Sequence, residues 1–304
     1  MKIAGTDLDV FGLCLGTNIF GWTADEPESF AVLDAYAAAG GNFIDTADVY
    51  SAWADGHQGG ESETVIGHWL AARGNREQFV IATKVGAMGG LSPANIGEQI
   101  DASLRRLHTD RIDLYYAHRD DPEMALEETL TALDAQVRAG KVRYIAASNY
   151  TPERLAEALA VSERDGLARF VALSPHYNLV ERSYETTLAD LCARHNISCV
   201  PYYALAKGFL TGKYRPGQPV DSSRGRLDGS AYLDDRGVRV LSALDETAAA
   251  HGTTAAAVAL AWLLAQPTVI APIASARTPE QLAELLPMAE LALTDAELER
   301  LSAD

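Results

Sequence analysis

Positive charge is scarce in this chain. Lys and Arg number 25 against 42 Asp and Glu, a formal net charge of −17. That balance argues against nucleic acid or an anionic membrane as a partner, since both require a basic face. It leaves room for a small anionic ligand where positive charge is concentrated locally. Cysteine is nearly absent: Cys14, Cys192 and Cys199 are widely spaced and form no CxxC pair. Cys14 and Cys199 fall in apolar runs, which reads as buried free thiols in a reducing cytosol. No apolar stretch approaches the ~18 residues of a membrane span, and the N-terminus lacks a basic-then-apolar signal pattern. A soluble cytoplasmic protein is expected. The seven histidines form no HExxH or comparable pair, so no metal site is expected. The stretch Gly208-Phe-Leu-Thr-Gly-Lys-Tyr214 approaches a phosphate-binding P-loop but is one residue short and lacks the Ser/Thr after lysine.

What the chain does have is a rhythm. Nearly half of its 304 residues are hydrophobic. Short apolar runs recur at 11–15, 42–44, 79–83, 112–117, 142–147, 170–173, 197–202 and 269–273. They are continuous rather than alternating, as in strands covered on both faces. Pro272 removes a ladder donor from the last run, so that strand is expected to be short or bulged.

Between the runs lie segments with helical spacing and good caps. Ser92-Pro93, Thr151-Pro152, Thr278-Pro-Glu-Gln281 and Thr294-Asp-Ala-Glu297 read as helix starts, the last two as capping boxes. Gly140 ends the stripe Leu126, Leu130, Leu133, Val137. Eight strands alternating with helices imply parallel pairing through right-handed crossovers. Eight units, and no opening glycine-rich nucleotide loop, favour a closed barrel over an open doubly wound sheet. The expected fold is one (β/α)₈ TIM barrel domain over residues 1–304, with a long loop after strand seven and an extra C-terminal helix. That loop, residues 204–235, has little periodicity and reads as a lid or binding loop.

In such a barrel the site lies at the C-terminal strand ends. Asp45 and Tyr50 follow strand two, Lys84 ends strand three and His118 ends strand four. A tyrosine is a poor acid at neutral pH unless a nearby cation favours its phenolate. Lys84 can supply that charge, Asp45 can hold the lysine as an ion pair, and His118 can orient a substrate oxygen. The set suits protonation of an oxygen that becomes negative as its carbon accepts a hydride. The acidic residues Glu61, Glu63, Asp120 and Asp121 could suggest a barrel glycosidase. They read instead as a solvated rim, and a glycosidase would leave Lys84 and Tyr50 unexplained.

Seven ordered motifs from about residue 9 onward resemble the aldo-keto reductase family. They are Leu15-Gly-Thr17, Asn42-Phe-Ile-Asp-Thr-Ala-Asp-Val-Tyr50, Ala82-Thr-Lys84, Asp113-Leu-Tyr-Tyr-Ala-His118, Arg143-Tyr-Ile-Ala-Ala-Ser-Asn149, Tyr177-Asn-Leu-Val-Glu-Arg182 and Gly208-Phe-Leu-Thr-Gly-Lys213.

The resemblance implies NADPH-dependent reduction of aldehydes and ketones without a metal. Tyr50 would be the general acid, Lys84 would lower its pKa, Asp45 would support Lys84 and His118 would orient the carbonyl. For NADP(H), the resemblance implies contacts from Gly16, Thr17, Asn18 and Asp45. Ser148 and Asn149 would hold the carboxamide, with Ser174 nearby and Tyr202 stacked on the nicotinamide. Leu205, Gly208, Leu210 and Lys213 would close over the pyrophosphate. Ser275, Arg277 and Gln281 would receive the 2′-phosphate. Trp22 and Trp53 are expected at the substrate mouth with Tyr50 and His118.

Three positions depart from the family pattern. Ser174 stands where a glutamine is usual, Ala204 where a proline is common, and Leu285 where many members have an adenine-contacting asparagine. The rival expectation is a cofactor-binding regulatory subunit with little turnover, as some proteins resembling the family are. The substrate and the oligomeric state are not readable from the residues.

Overall fold

The computed structural model describes residues 1–218 and 229–303. Eight strands form one parallel sheet: β1 (Cys14–Gly16), β2 (Phe43–Asp45), β3 (Val80–Val85), β4 (Ile112–Ala117), β5 (Val142–Ser148), β6 (Phe170–Ser174), β7 (Ser198–Cys199) and β8 (Ile273–Ala274). The order is β7-β6-β5-β4-β3-β2-β1-β8. The run leading into β8 meets β7 through a parallel Cys199–Val269 bridge, with Ile270 N–H donating to Cys199 O at 3.0 Å. The sheet therefore curls onto itself, as a (β/α)₈ barrel requires.

Around the sheet lie α1 (Glu26–Ala38), α2 (Glu61–Arg73), α3 (Pro93–Arg106), α4 (Leu126–Arg138), α5 (Pro152–Asp165), α6 (Leu188–Arg194), α7 (Asp235–His251), α8 (Ala255–Leu264), α9 (Pro279–Ala283) and α10 (Asp295–Ser302). The expected caps at Ser92, Thr151 and Thr294 form, the last with its reciprocal Glu297 contact. At α9 only half of the expected box forms. Thr278 caps Gln281 N–H, but the Gln281 side chain accepts from Arg277 N–H at 3.0 Å, one residue earlier.

Three strands are shorter than their apolar runs. The first begins at Cys14 rather than Phe11, the seventh keeps two residues, and the eighth starts just after Pro272. The apolar residues left over still pack: Leu13, Ile197, Val200 and Ala271 are buried. Hydrophobicity marks burial here more faithfully than it marks ladder pairing. All three cysteines are free and buried.

One element was not foreseen. Residues 1–10 make a small hairpin with a Lys2–Asp9 bridge, and Ile3, Leu8 and Val10 join the barrel's inner cluster with Phe43, Val80 and Val171. Asp7 accepts from Arg143 and Tyr144 at the start of β5, so the hairpin plugs the end opposite the strand C-termini. Among the described residues, no single helix is long and apolar enough to cross a membrane.

Of the 204–235 loop, residues 219–228 lie outside the described residues. The described part holds a tight turn, Ala206–Thr211, and a second one, Ser230–Tyr232. Tyr203, Ala206 and Lys207 all adopt positive φ (51°, 47° and 58°) without being glycine. Such backbone is costly for L-residues and concentrates where a chain is held for a ligand.

Candidate active site

Asp45 is the last residue of β2 and Lys84 the fifth of β3, and both side chains are almost fully buried. The loop after β2 stays alongside β3, with Thr46 N–H donating to Ala82 O and Asp48 N–H to Lys84 O. That path folds Tyr50 back over the lysine. Lys84 Nζ lies 2.6 Å from Asp45 Oδ1 and donates to Thr46 O at 2.8 Å and to the Tyr50 hydroxyl at 2.9 Å. The ammonium's three donors are thus engaged. Tyr50 O–H in turn donates to Asp45 Oδ2 at 3.1 Å.

Protonation follows from burial and these partners. Burial first, then the Asp45 charge, holds the Tyr50 phenol well above its ordinary value. These two influences outweigh the Lys84 pull expected from sequence, so the resting site keeps the tyrosine proton loaded. Burial also raises the Asp45 carboxyl, against the opposing pull of Lys84. His118 is pushed down to about 3, by burial first and then by Lys84 and Arg119. It is therefore a neutral imidazole at physiological pH, and its buried Nδ1 has no partner. Its ring lies 6.2 Å from that of Tyr50, edge to face. A loaded phenol and a neutral imidazole facing one mouth can both hydrogen-bond an incoming oxygen, and the phenol can protonate it.

The remaining expected residues divide into those that meet and those that turn away. Ser148 Oγ donates to Ser174 O at 2.9 Å; Asn149 Nδ2 donates to His118 O at 2.9 Å and to Ser148 Oγ at 3.0 Å. Tyr202 O–H donates to Asn149 Oδ1 at 2.7 Å. Strands β4, β5 and β6 and the end of β7 are thereby tied together at the mouth. Ser174 Oγ is buried with no partner.

On the other side, Ser275 Oγ donates to Asn18 Oδ1 at 3.0 Å. A Cβ on Gly16 would meet Ile273 Cγ2 at 2.8 Å, so only glycine fits between β1 and β8. The Thr17 side chain turns inward, its Oγ1 donating to Asp45 O. Leu210 is likewise in the core. Leu205, Gly208 and Lys213 lie on or beside the strained turn, and Gly208 leaves only 3.2 Å to Lys213 Nζ for a Cβ. Arg277 and Gln281 meet at the start of α9. Trp22 and Trp53 pack edge to face at 5.7 Å, and Trp53 continues to Tyr50 at 6.1 Å. Trp53 is 46% exposed, so this aromatic row leads from solvent to the phenol. Among the described residues, no group of His, Cys, Asp and Glu is arranged to hold a metal ion.

The pattern of the aldo/keto reductase family matches residues 12–303. The chain belongs to the aldo/keto reductase family. It is 36% identical over 312 residues to the oxidoreductase YrpG of Bacillus subtilis, covering 98% of this chain and 93% of that one. It is 32% identical over 332 residues to Protein tas of Escherichia coli, covering 99% and 96%. Norsolorinic acid reductase B of Aspergillus parasiticus is 31% identical over 308 residues, covering 94% and 78%. Membership makes this chain one of an oxidoreductase family.

Two features of this family member escaped the sequence reading. Glu61, Glu63, Asp120 and Asp121 do not form the expected solvated rim. Glu63 is 0% exposed, accepts from Thr83 Oγ1 at 2.5 Å and pairs with Arg106 Nε at 2.6 Å. Glu61 accepts from Gln58 and Gly59 N–H, Asp120 pairs with Arg154, and Asp121 accepts from Leu91 N–H. Asp48, beside Glu63, is buried with Oδ1 unpartnered. Burial and the Glu63 charge raise it to about 7. The second feature is His176, stacked on Tyr202 at 5.4 Å and 17°. A helix's first acidic turn reads as solvated because its buried partners lie on other elements. The His176 stack had no local signal at all.

Proposed function

We propose that this protein reduces aldehyde or ketone carbonyls to alcohols with NADPH, Tyr50 supplying the proton. The observation that carries the reading is the Tyr50 hydroxyl at the mouth, 2.9 Å from the Lys84 ammonium and 3.1 Å from the Asp45 carboxylate. The carbonyl oxygen takes hydrogen bonds from Tyr50 O–H and the neutral His118. As the C=O bond becomes a C–O single bond, the oxygen becomes a strong base and takes the Tyr50 proton. The phenolate left behind is stabilised by Lys84, already in contact with it, in a site too buried for water to screen the charge. Asp45 keeps Lys84 in place throughout.

The bound dinucleotide would supply the hydride, two electrons and a proton's mass, to the carbonyl carbon. The residues at the mouth fit such a group. Ser174 Oγ is a buried polar atom without a partner, which a carboxamide can satisfy. Ser148, Asn149 and Tyr202 would hold the nicotinamide end, the Leu205–Lys213 turn the pyrophosphate, and Arg277 with Gln281 a 2′-phosphate. Trp22 and Trp53 would flank the substrate.

The test is cofactor consumption by the purified protein with a panel of aldehydes, using NADPH and NADH in parallel. Aldehyde-dependent oxidation faster with NADPH is expected. Tyr50→Phe should lower kcat by about 10²–10⁴, the usual contribution of a positioned general acid, while still binding NADPH by fluorescence. Unchanged turnover in that variant would refute the proton assignment.

A further inference from the structure

The ladder between β1 and β2 ends on the pair Gly16–Asp45. The next residue of each strand, Thr17 and Thr46, is held instead by one side chain from a helix, Ser62 in the first turn of α2. All three residues are fully buried. Thr46 Oγ1 donates to Ser62 Oγ at 2.9 Å, Ser62 Oγ donates to Thr17 O at 2.9 Å, and Thr17 Oγ1 donates to Asp45 O at 2.8 Å. A hydroxyl has a single proton, and this order uses each of the three once. The Thr17 and Ser62 hydroxyl oxygens are themselves 2.7 Å apart.

This run of bonds joins the two residues that grip the ammonium. Lys84 Nζ donates to Thr46 O at 2.8 Å and lies 2.6 Å from Asp45 Oδ1. Thr46 therefore works on two sides, its carbonyl accepting from Lys84 while its hydroxyl is fixed by Ser62. At the other end, Asp45 O accepts from both Thr17 Oγ1 and Thr17 N–H, the latter at 3.0 Å. Ser62 bonds to Thr17 and Thr46 rather than to Lys84 or Tyr50, so any influence on the phenol passes through them. Its neighbour Glu63 is engaged elsewhere, with Thr83 and Arg106.

We propose that Ser62 is a positioning residue for proton transfer: through Thr46 and Thr17 it fixes the carbonyl and the carboxylate that hold the Lys84 ammonium at the Tyr50 hydroxyl. The inference rests on the carbonyl-reductase reading above. Alanine at position 62 would leave Thr46 Oγ1 and Thr17 O buried without these partners, which is costly enough to turn them toward others. The peptide group after Thr46 then moves relative to Lys84, and the ammonium stabilises the phenolate less well. A misplacement of about 1 Å can cost about 10²-fold in rate. Because the three hydroxyls are sealed from solvent, the loss should fall on kcat rather than on ligand binding.

The experiment measures kcat and KM with the best aldehyde of the panel, and NADPH affinity by fluorescence, in the wild type, Ser62→Ala, Thr46→Val and Ser162→Ala. Thr46→Val removes the same hydrogen bond from its other end and decides the matter should Ser62→Ala fail to fold. Ser162 is a buried serine of α5 whose Oγ donates to Ala168 O at 3.1 Å, just before β6 and so at the far end of the barrel. Ser62→Ala and Thr46→Val should each lower kcat about tenfold, with KM and NADPH affinity within about twofold of the wild type. Ser162→Ala should keep the wild-type kcat. In a Lys84→Met background the same two changes should alter kcat less than about twofold, since effects that act through one group do not add. Wild-type kcat in either variant, or a loss that persists undiminished without Lys84, overturns the positioning role and leaves the reductase reading intact. A wild type inactive on the whole panel overturns both.

Discussion

Two ion pairs, each with a buried carboxylate, flank β3 on its opposite faces, and only one is poised for chemistry. Inside the barrel, Lys84 meets Asp45 at 2.6 Å; outside it, Arg106 meets Glu63 at 2.6 Å. Adjacent residues of β3 serve the two clusters, Thr83 the outer and Lys84 the inner, because successive side chains on a strand point to opposite faces. The inner cluster balances one carboxylate with one ammonium and adds a phenol at an open mouth. The outer cluster sets two carboxylates, Glu63 and Asp48, near a single guanidinium and closes them off. A buried carboxylate held by a cation is common to both. What distinguishes the candidate site is a proton placed where a substrate can reach it.

The largest expected effect separates the two by activity. Lys84→Met should lower kcat by about 10²–10⁴ while the circular dichroism spectrum stays that of the wild type, since phenolate stabilisation is lost. A rate within a few-fold of the wild type would erase the difference between the clusters. Next in size, Arg106→Met should cost about 3–5 kcal/mol in urea unfolding, because Glu63 is left charged and unpaired in the interior. The folded variant should keep its turnover. Loss of turnover without loss of stability would mean that the outer cluster belongs to the chemistry.

Asp48→Asn sharpens the contrast further. Asp48 keeps its proton in the folded chain up to about pH 7, whereas an unfolded aspartate loses it near pH 4. Between those values the native state binds more protons than the unfolded one. Stability from this group is therefore present below about pH 4 and lost as pH rises through about 7, by at most about 4 kcal/mol. The asparagine variant should lack that component, gaining on the wild type as pH rises from 4 to 8. Parallel stability curves would show that Asp48 does not hold its proton.

Much of this was legible in the residues. The catalytic candidates could be read because each ends an apolar run, and strand ends in an eightfold alternation share one mouth. Helix starts could be read where the capping partner lies three residues away, as at Thr294 and Glu297. Glu63 could not: its partners are 20 and 43 residues distant, and its place in an acidic first helical turn has a ready local explanation. The N-terminal hairpin was hidden for a similar reason. Ile3, Leu8 and Val10 gain their meaning only from the barrel floor they fill.

By itself the sequence determined the alternation of strands and helices, and so the closed sheet and the end of it that carries Asp45, Tyr50, Lys84 and His118. Local spacing and strand-end chemistry suffice for that, since both are properties of neighbouring residues. Only the tertiary structure decided protonation: a loaded Tyr50, a neutral His118 and a raised Asp48. Those states depend on burial and on charges brought together from distant parts of the chain, and desolvation belongs to the folded molecule rather than to any segment of it.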